Sequence, residues 1–178
     1  MKTYVGIDPG ASETTPGGIA WLRGEEYGWK PLVTTDPKLV TEALLDLAAA
    51  GECFVLCEKV NPFVRAGGRM GATSAASIGR MCAVPETVLV AFLIPHEVVT
   101  PQHWQKLLWG KTPGWKNKLK TRDGDGELRV ERKVMKKYLF DKAGKRWPRF
   151  GAEAKISKHS GCADALWIAL AAKTAAGG

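Results

Sequence analysis

Three acidic side chains stand where an apolar segment would not ordinarily carry one. Asp8 ends the run TYVGID, Glu58 ends CFVLCE, and Asp164 is the only charged side chain in ADALWIALAA, residues 163–172. Taking an unpaired carboxylate out of water costs on the order of several kcal/mol unless it finds a partner or picks up a proton. None of the three runs contains a basic residue. Brought together, the three acids would repel one another unless a cation stood between them. A hard divalent ion is the economical choice, because Mg²⁺ takes oxygen ligands and keeps water and substrate phosphate in its shell; Mn²⁺ accepts the same donors. Each acid also has a purely structural reading. Asp8 can start an Asx turn into Pro9 and Gly10, Glu58 can pair with Lys59 or a distant Arg, and Asp164 suits the positive end of its helix.

The elements that must position these residues are readable from periodicity and punctuation. Residues 3–8, 18–22 and 28–34 are short β-rich runs separated by Gly, Pro, Ser and Thr, which predicts an antiparallel meander. A helix follows from Pro37, with Val40, Leu44 and Leu47 inward and Gly51 as its stop. Residues 53–59 form an apolar run too short for a helix, suited to a central strand covered on both faces. A Gly- and Arg-rich loop then leads into a helix from about Thr73, with Pro85 as a kink or a restart. Residues 94–99 read as a further strand, and Thr100 and Pro101 cap and open the helix QHWQKLLW. From 110 to 126 no apolar period is visible, which predicts a long exposed loop. LRVERKVMKKYLFDKAG predicts a helix with Val130, Val134 and Tyr138 on one side, and the last helix runs from about Ser160 to Lys173. This order predicts one α/β domain over residues 1–178, a mixed sheet with helices on its faces. Strand ends and a helix N-terminus are where such a sheet presents its site.

The formal net charge of +8 is unevenly placed. Between Trp109 and Arg149 there are fourteen Lys or Arg against five Asp or Glu, a balance of +9, so the rest of the chain sums to −1. A concentrated positive segment of this kind favours a polyanion, since each neutralised phosphate releases counterions; the plainer reading is a solvated basic helix. Cys53, Cys57, Cys82 and Cys162 lack zinc-site spacing and read as reduced packing residues. Neither a secretory signal nor an apolar run of membrane-spanning length is evident, which points to a cytoplasmic protein.

GIDPG near the N-terminus, the strand ending Glu58-Lys59-Val60, TPQHWQKLLWG and the C-terminal ADALWIA helix together resemble the RuvC family of Holliday junction resolvases, in a phage-encoded form. The match runs in order from residue 4 to residue 173. It implies a ribonuclease H-like fold with a central mixed five-stranded sheet, and an acidic site holding two Mg²⁺ or Mn²⁺ ions. It further implies cleavage of branched DNA to 5′-phosphate and 3′-hydroxyl ends, a homodimer, no organic cofactor and, for a phage protein, the host cytoplasm. Asp8, Glu58 and Asp164 match the family's ligands. A fourth carboxylate expected near Ser160 or Gly161 is absent; His159 is its natural substitute, with Ser160 and Glu153 as further candidates. Lys106 or Lys158 could add positive charge at the phosphate in the transition state.

For binding, Arg65, Arg69 and Arg80 flank the glutamate-bearing strand. Lys111, Lys116, Lys118 and Lys120 are interleaved with Trp109 and Trp115, a pairing suited to phosphate contacts and base stacking. Phe63 is either a wedge at the crossover or a core side chain. Two other functions compete: a non-catalytic branched-nucleic-acid-binding module, and a ribonuclease H-like nuclease acting on flaps, forks or RNA–DNA hybrids. An actin-like kinase also begins with a strand ending in Asp, but a second phosphate loop is missing. Gly110-Lys111-Thr112 imitates a P-loop whose first glycine would fall at Gln105, and Asp123 to Glu127 imitates a calcium loop lacking its third acidic ligand.

Overall fold

The computed structural model describes residues 1–10, 16–59, 72–110, 121–122, 128–129 and 132–177. In chain order the elements are β1 (Thr3–Asp8), β2 (Gly17–Arg23), β3 (Glu26–Leu32), α1 (Pro37–Ala49), β4 (Cys53–Glu58), α2 (Ala72–Ala91), β5 (His96–Val99) and α3 (Pro101–Trp109). They continue with β6 (Thr121–Arg122), β7 (Leu128–Arg129), α4 (Arg132–Arg146), α5 (Pro148–Glu153) and α6 (Ile156–Ala175). Five strands form one sheet in the order β3-β2-β1-β4-β5. The first three pair antiparallel, while β1, β4 and β5 run parallel, so the sheet is mixed as the element order predicts.

Alternation along the strands divides the core in two. Val5, Ile7, Val55 and Cys57 face α1 and α2, packing with Val40, Leu44, Val88 and Leu89. Tyr4, Phe54 and Leu56 face the other way, toward α6 and α3. Helix α6 lies on that second face at backbone distance. A Cβ added to Gly6 would run into the Ala165 carbonyl oxygen, and one added to Gly18 would stand 2.5 Å from the Cys162 amide nitrogen. The opposing helix supplies Cys162, Ala165 and Ala169, so small residues on both sides let the helix settle onto β1 and β2.

Several boundaries differ from the sequence reading, each for a local reason. Strand β3 starts at Glu26 because Gly24, at positive φ, turns the chain directly after β2. Pro31 is tolerated within it because β3 is an edge strand. Leu128 and Arg129 pair with Thr121 and Arg122 as a two-stranded ribbon, so the predicted helix from Leu128 begins at Arg132 and the predicted loop is not wholly irregular. Helix α4 buries Leu139 and Ala143, with Met135 against them, whereas Val134 is exposed; the inward stripe is one position off the expected one. Helix α5 was not anticipated, and it buries Phe150. Helix α2 continues through Pro85 without restarting. Asp36 caps α1 through the amides of Lys38 and Leu39, and Thr100 caps α3 through that of His103, the latter as predicted. Among the described residues no helix is long and apolar enough to cross a membrane.

The cysteines are free, and Cys53, Cys57 and Cys162 are buried while Cys82 is half-buried. Burial pushes the Cys162 thiol up to about 12 and the Cys53 thiol to about 11, the latter partly opposed by Arg23. Cys57 is raised further still, by burial first and then by Cys82, Glu58, Glu86 and Asp8.

Two expectations follow from this packing. Gly6→Ala or Gly18→Ala should destabilise the fold by at least about 2 kcal/mol in urea unfolding, because the obstructing atoms are backbone. Gly79→Ala, whose added methyl meets nothing within 4 Å on α2, should be neutral or stabilising. The unfolded chain ionises Cys53, Cys57 and Cys162 near 9.0 while the folded chain keeps them protonated to about 11 or above, so their contribution to stability is full below pH 9 and falls as the pH rises above it. Unfolding curves between pH 7 and 11 check the sign. A thiol reagent should label at most Cys82 in the native protein and all four cysteines in denaturant.

Candidate metal and nuclease site

Period-two alternation places Asp8 on the same sheet face as Tyr4 and Gly6, and Glu58 on the same face as Phe54 and Leu56. Ile7 and Cys57 are register partners in the parallel β1–β4 pair, so Asp8 and Glu58 leave neighbouring strands at the same end. Both head toward α6. Helix α6 crosses that end with Gly161 against the Asp8 side chain, since a Cβ there would stand 3.0 Å from Asp8 Oδ2. Asp164 is one turn further on and half-buried, as is Asp8, while Glu58 is buried. Trp167, one turn beyond Asp164, packs edge-on to Trp109 of α3, so Asp164 lies on the flank of α6 that faces α3.

Helix α3 closes the site over Glu58. Glu58 pairs with Val99 at the end of β5, the Lys59 amide donates to the Val99 carbonyl at 2.8 Å, and α3 begins two residues after Val99. The indole Nε1–H of Trp104 donates to Glu58 Oε2 at 2.6 Å. Beneath Asp8 the turn is pinned by Thr34, whose hydroxyl accepts from the Gly10 amide and donates to its carbonyl, both at 3.1 Å. The field here is negative: the Asp8 anion adds to burial in raising both Cys57 and Cys162, and Glu58 adds to it at Cys57. Among the described residues no three His, Cys, Asp or Glu side chains already stand as a closed metal-ligand group. The donor set is nonetheless all oxygen and anionic, of the kind Mg²⁺ and Mn²⁺ take, and Glu58 meets a neutral donor in Trp104.

The other described residues predicted for the site lie on α2, α3, α5 and α6. His159 has non-helical backbone angles that break α6 just before Ser160, and its Nδ1 accepts from the Lys155 amide at 3.0 Å, so one ring nitrogen is committed to the start of the helix. The missing carboxylate at Gly161 has a steric cause, because Asp8 Oδ2 and the Gly17 backbone fill the space a side chain there would need. Glu153 is exposed and 3.9 Å from Arg149 Nε. Lys158 is exposed. Lys106 is exposed on α3, about 200° around the helix from Trp104. Arg80 lies on an exposed face of α2, lining an open cleft of about 440 Å³ with Thr35, Ala76 and Ser77. Phe63, Arg65, Arg69, Lys111, Trp115, Lys116, Lys118 and Lys120 lie outside the described residues. Sequence reasoning missed Trp104; the signal was a tryptophan one turn into a helix that starts directly after a strand.

No protein-family model matches the sequence, and no curated protein does. Solved structures do match. RuvC from Thermus thermophilus in complex with a Holliday junction substrate superposes with a TM-score of 0.52 at 12% identity, over 99% of this chain and 95% of that one. A second Thermus thermophilus RuvC structure superposes with a TM-score of 0.51 at 13% identity, over 98% and 95%. At that identity the likeness is one of fold: the five-stranded mixed sheet flanked by helices is the RuvC-like, ribonuclease H-like arrangement.

Proposed function

We propose that this chain is a divalent-metal-dependent endonuclease that cuts branched DNA, four-way junctions among its substrates, leaving 5′-phosphate and 3′-hydroxyl ends. The observation that carries the reading is the meeting of Asp8, Glu58 and α6 on one face and at one end of a RuvC-like sheet. Asp8, Glu58 and Asp164 are the residues that would hold two Mg²⁺ or Mn²⁺ ions, with the free ring nitrogen of His159 as a further ligand. Bound there, the ions supply an activated water and neutralise charge on the departing 3′ oxygen.

The chain's own residues do the rest. The carboxylates hold position because the strand ends and α6 are backbone-packed. The surrounding burial keeps bulk water from the inner carboxylate, Glu58. The +9 segment between Trp109 and Arg149 binds phosphates, its described residues including α4 with exposed Lys133, Lys137, Lys142, Lys145 and Arg146. A four-way junction has approximate twofold symmetry, so paired incisions call for two copies of the chain. The solved Thermus thermophilus RuvC bound to a Holliday junction supports a branched substrate over a linear duplex. A second reading, a binding module without catalysis, is favoured by the absence of a closed ligand group among the described residues.

Labelled four-way, three-way, flap and linear duplexes incubated with each divalent ion separate the two. The nuclease reading expects Mg²⁺- or Mn²⁺-dependent incision of branched substrates, abolished by chelation; binding with no incision under any ion supports the module. Asp8→Asn, Glu58→Gln and Asp164→Asn should each lower cleavage at least about a hundredfold, a loss of about 2.7 kcal/mol of transition-state stabilisation. Junction affinity in a metal-free gel shift should stay within about threefold of the parent, and full cleavage by Asp8→Asn would remove the nuclease reading.

A further inference from the structure

Glu58 occupies the last position of β4, where the chain has only just left the sheet, and its side chain meets α3. The route is short. Val99 is the register partner of Glu58, Thr100 caps α3, Pro101 opens it, and Trp104 follows one turn in. Trp104 is 2% exposed and Glu58 8%, so their 2.6 Å contact is short and shielded from water.

The indole ring is held independently of this bond. Trp104 packs edge-on to Trp109 at 5.8 Å between centroids, Trp109 to Trp167 at 5.4 Å, and Trp167 to Trp147 at 4.9 Å. Trp167 is anchored in turn by its own Nε1–H, which donates to the Leu139 carbonyl at 3.1 Å. Four tryptophans therefore run from the Glu58 carboxylate, across the helix that carries Asp164, to the end of α4. An indole is well suited to the first place in this chain. It donates one hydrogen bond, accepts none and does not titrate, so it can fix a carboxylate without neutralising it or competing for a cation. A Lys or Arg there would cancel the charge that a metal ion needs.

We propose that Trp104 is the positioning residue of the metal site, its indole N–H holding Glu58 through Oε2 in the orientation that a divalent cation requires. The proposal rests on the reading of Glu58 as a metal ligand, and partners that orient ligating carboxylates typically change metal affinity by about 10- to 100-fold when lost.

The test is Trp104→Phe, which keeps an aromatic ring on Trp109 and removes the donor. Mn²⁺ titration followed by the electron paramagnetic resonance signal of the free ion should show affinity about tenfold weaker or more. The thermal transition should remain cooperative, and metal-free junction binding should be unchanged. Trp147→Phe, at the far end of the tryptophan chain, should leave Mn²⁺ affinity as it is. In the parent protein the Trp104 indole proton resonance, assigned by its loss in Trp104→Phe, should lie downfield and shift both on Mg²⁺ addition and in Glu58→Gln. Folded Trp104→Phe with parental Mn²⁺ affinity, while Asp8→Asn loses binding, would overturn the positioning role alone. Mn²⁺ uptake that Asp8→Asn leaves untouched, or no uptake by the parent, would overturn the metal site and this role with it. Should Trp104→Phe fail to fold, the proton resonance decides, its assignment then resting on Trp104 contacts in the parent: no response to Glu58→Gln or to Mg²⁺ contradicts the proposal.

Discussion

Backbone contact between α6 and the sheet is the constraint from which the arrangement of the acids descends. An ordinary helix is held off a sheet by the side chains packed between them. Here Gly6 and Gly18 on the strands oppose Cys162 and Ala165 on the helix, with no room for a methyl group between them. That closeness fixes both the height and the axial position of α6, and so the height of Asp164 relative to the ends of β1 and β4. Gly161 belongs to the same constraint. A side chain at that position would run into the Gly17 backbone and then Asp8 Oδ2, so the position has no room for a carboxylate of its own.

Electrostatics then divides the molecule into two zones. The inner one is anionic and half-shielded, and its charge is felt by Cys57 and Cys162, which have no role in the proposed chemistry. The other is the exposed basic side chains of α4, Lys133, Lys137, Lys142, Lys145 and Arg146, which belong to a segment, Trp109 to Arg149, that carries more than the whole net charge. The tryptophans joining α3, α6 and the end of α4 span the gap between the zones. On the proposed reading an acidic site alone would repel a phosphodiester, basic side chains would attract the polymer, and cations among the acids would reverse the sign locally.

Much of this was legible in the sequence because burial writes a strong periodic signal. The continuous apolar run CFVLCE reads as a central strand with Glu58 at its end, while the face Glu58 takes comes from the register with β1 and β5. The apolar ADALWIALAA could only be an enclosed helix. Thr100-Pro101 located the start of α3. What escaped was set by tertiary context. The short β6–β7 ribbon and helix α5 carry no period long enough to read, and the inward stripe of α4 is decided by where α6 and Phe150 sit, not by its own pattern. The Trp104–Glu58 bond joins residues 46 positions apart and depends on the β4–β5 register, which no local rule supplies. The role of Gly161 was hidden for the same reason, since its neighbour Asp8 lies at the other end of the chain.

The central claim is that Asp8, Glu58 and Asp164 share divalent cations. Anomalous diffraction from crystals grown with Mn²⁺ addresses it most directly, because it locates the ions without reference to activity. The account predicts manganese peaks bounded by those three carboxylates, with Trp104 still on Glu58 Oε2. Manganese bound elsewhere, with that end of the sheet empty at saturating metal, would contradict it.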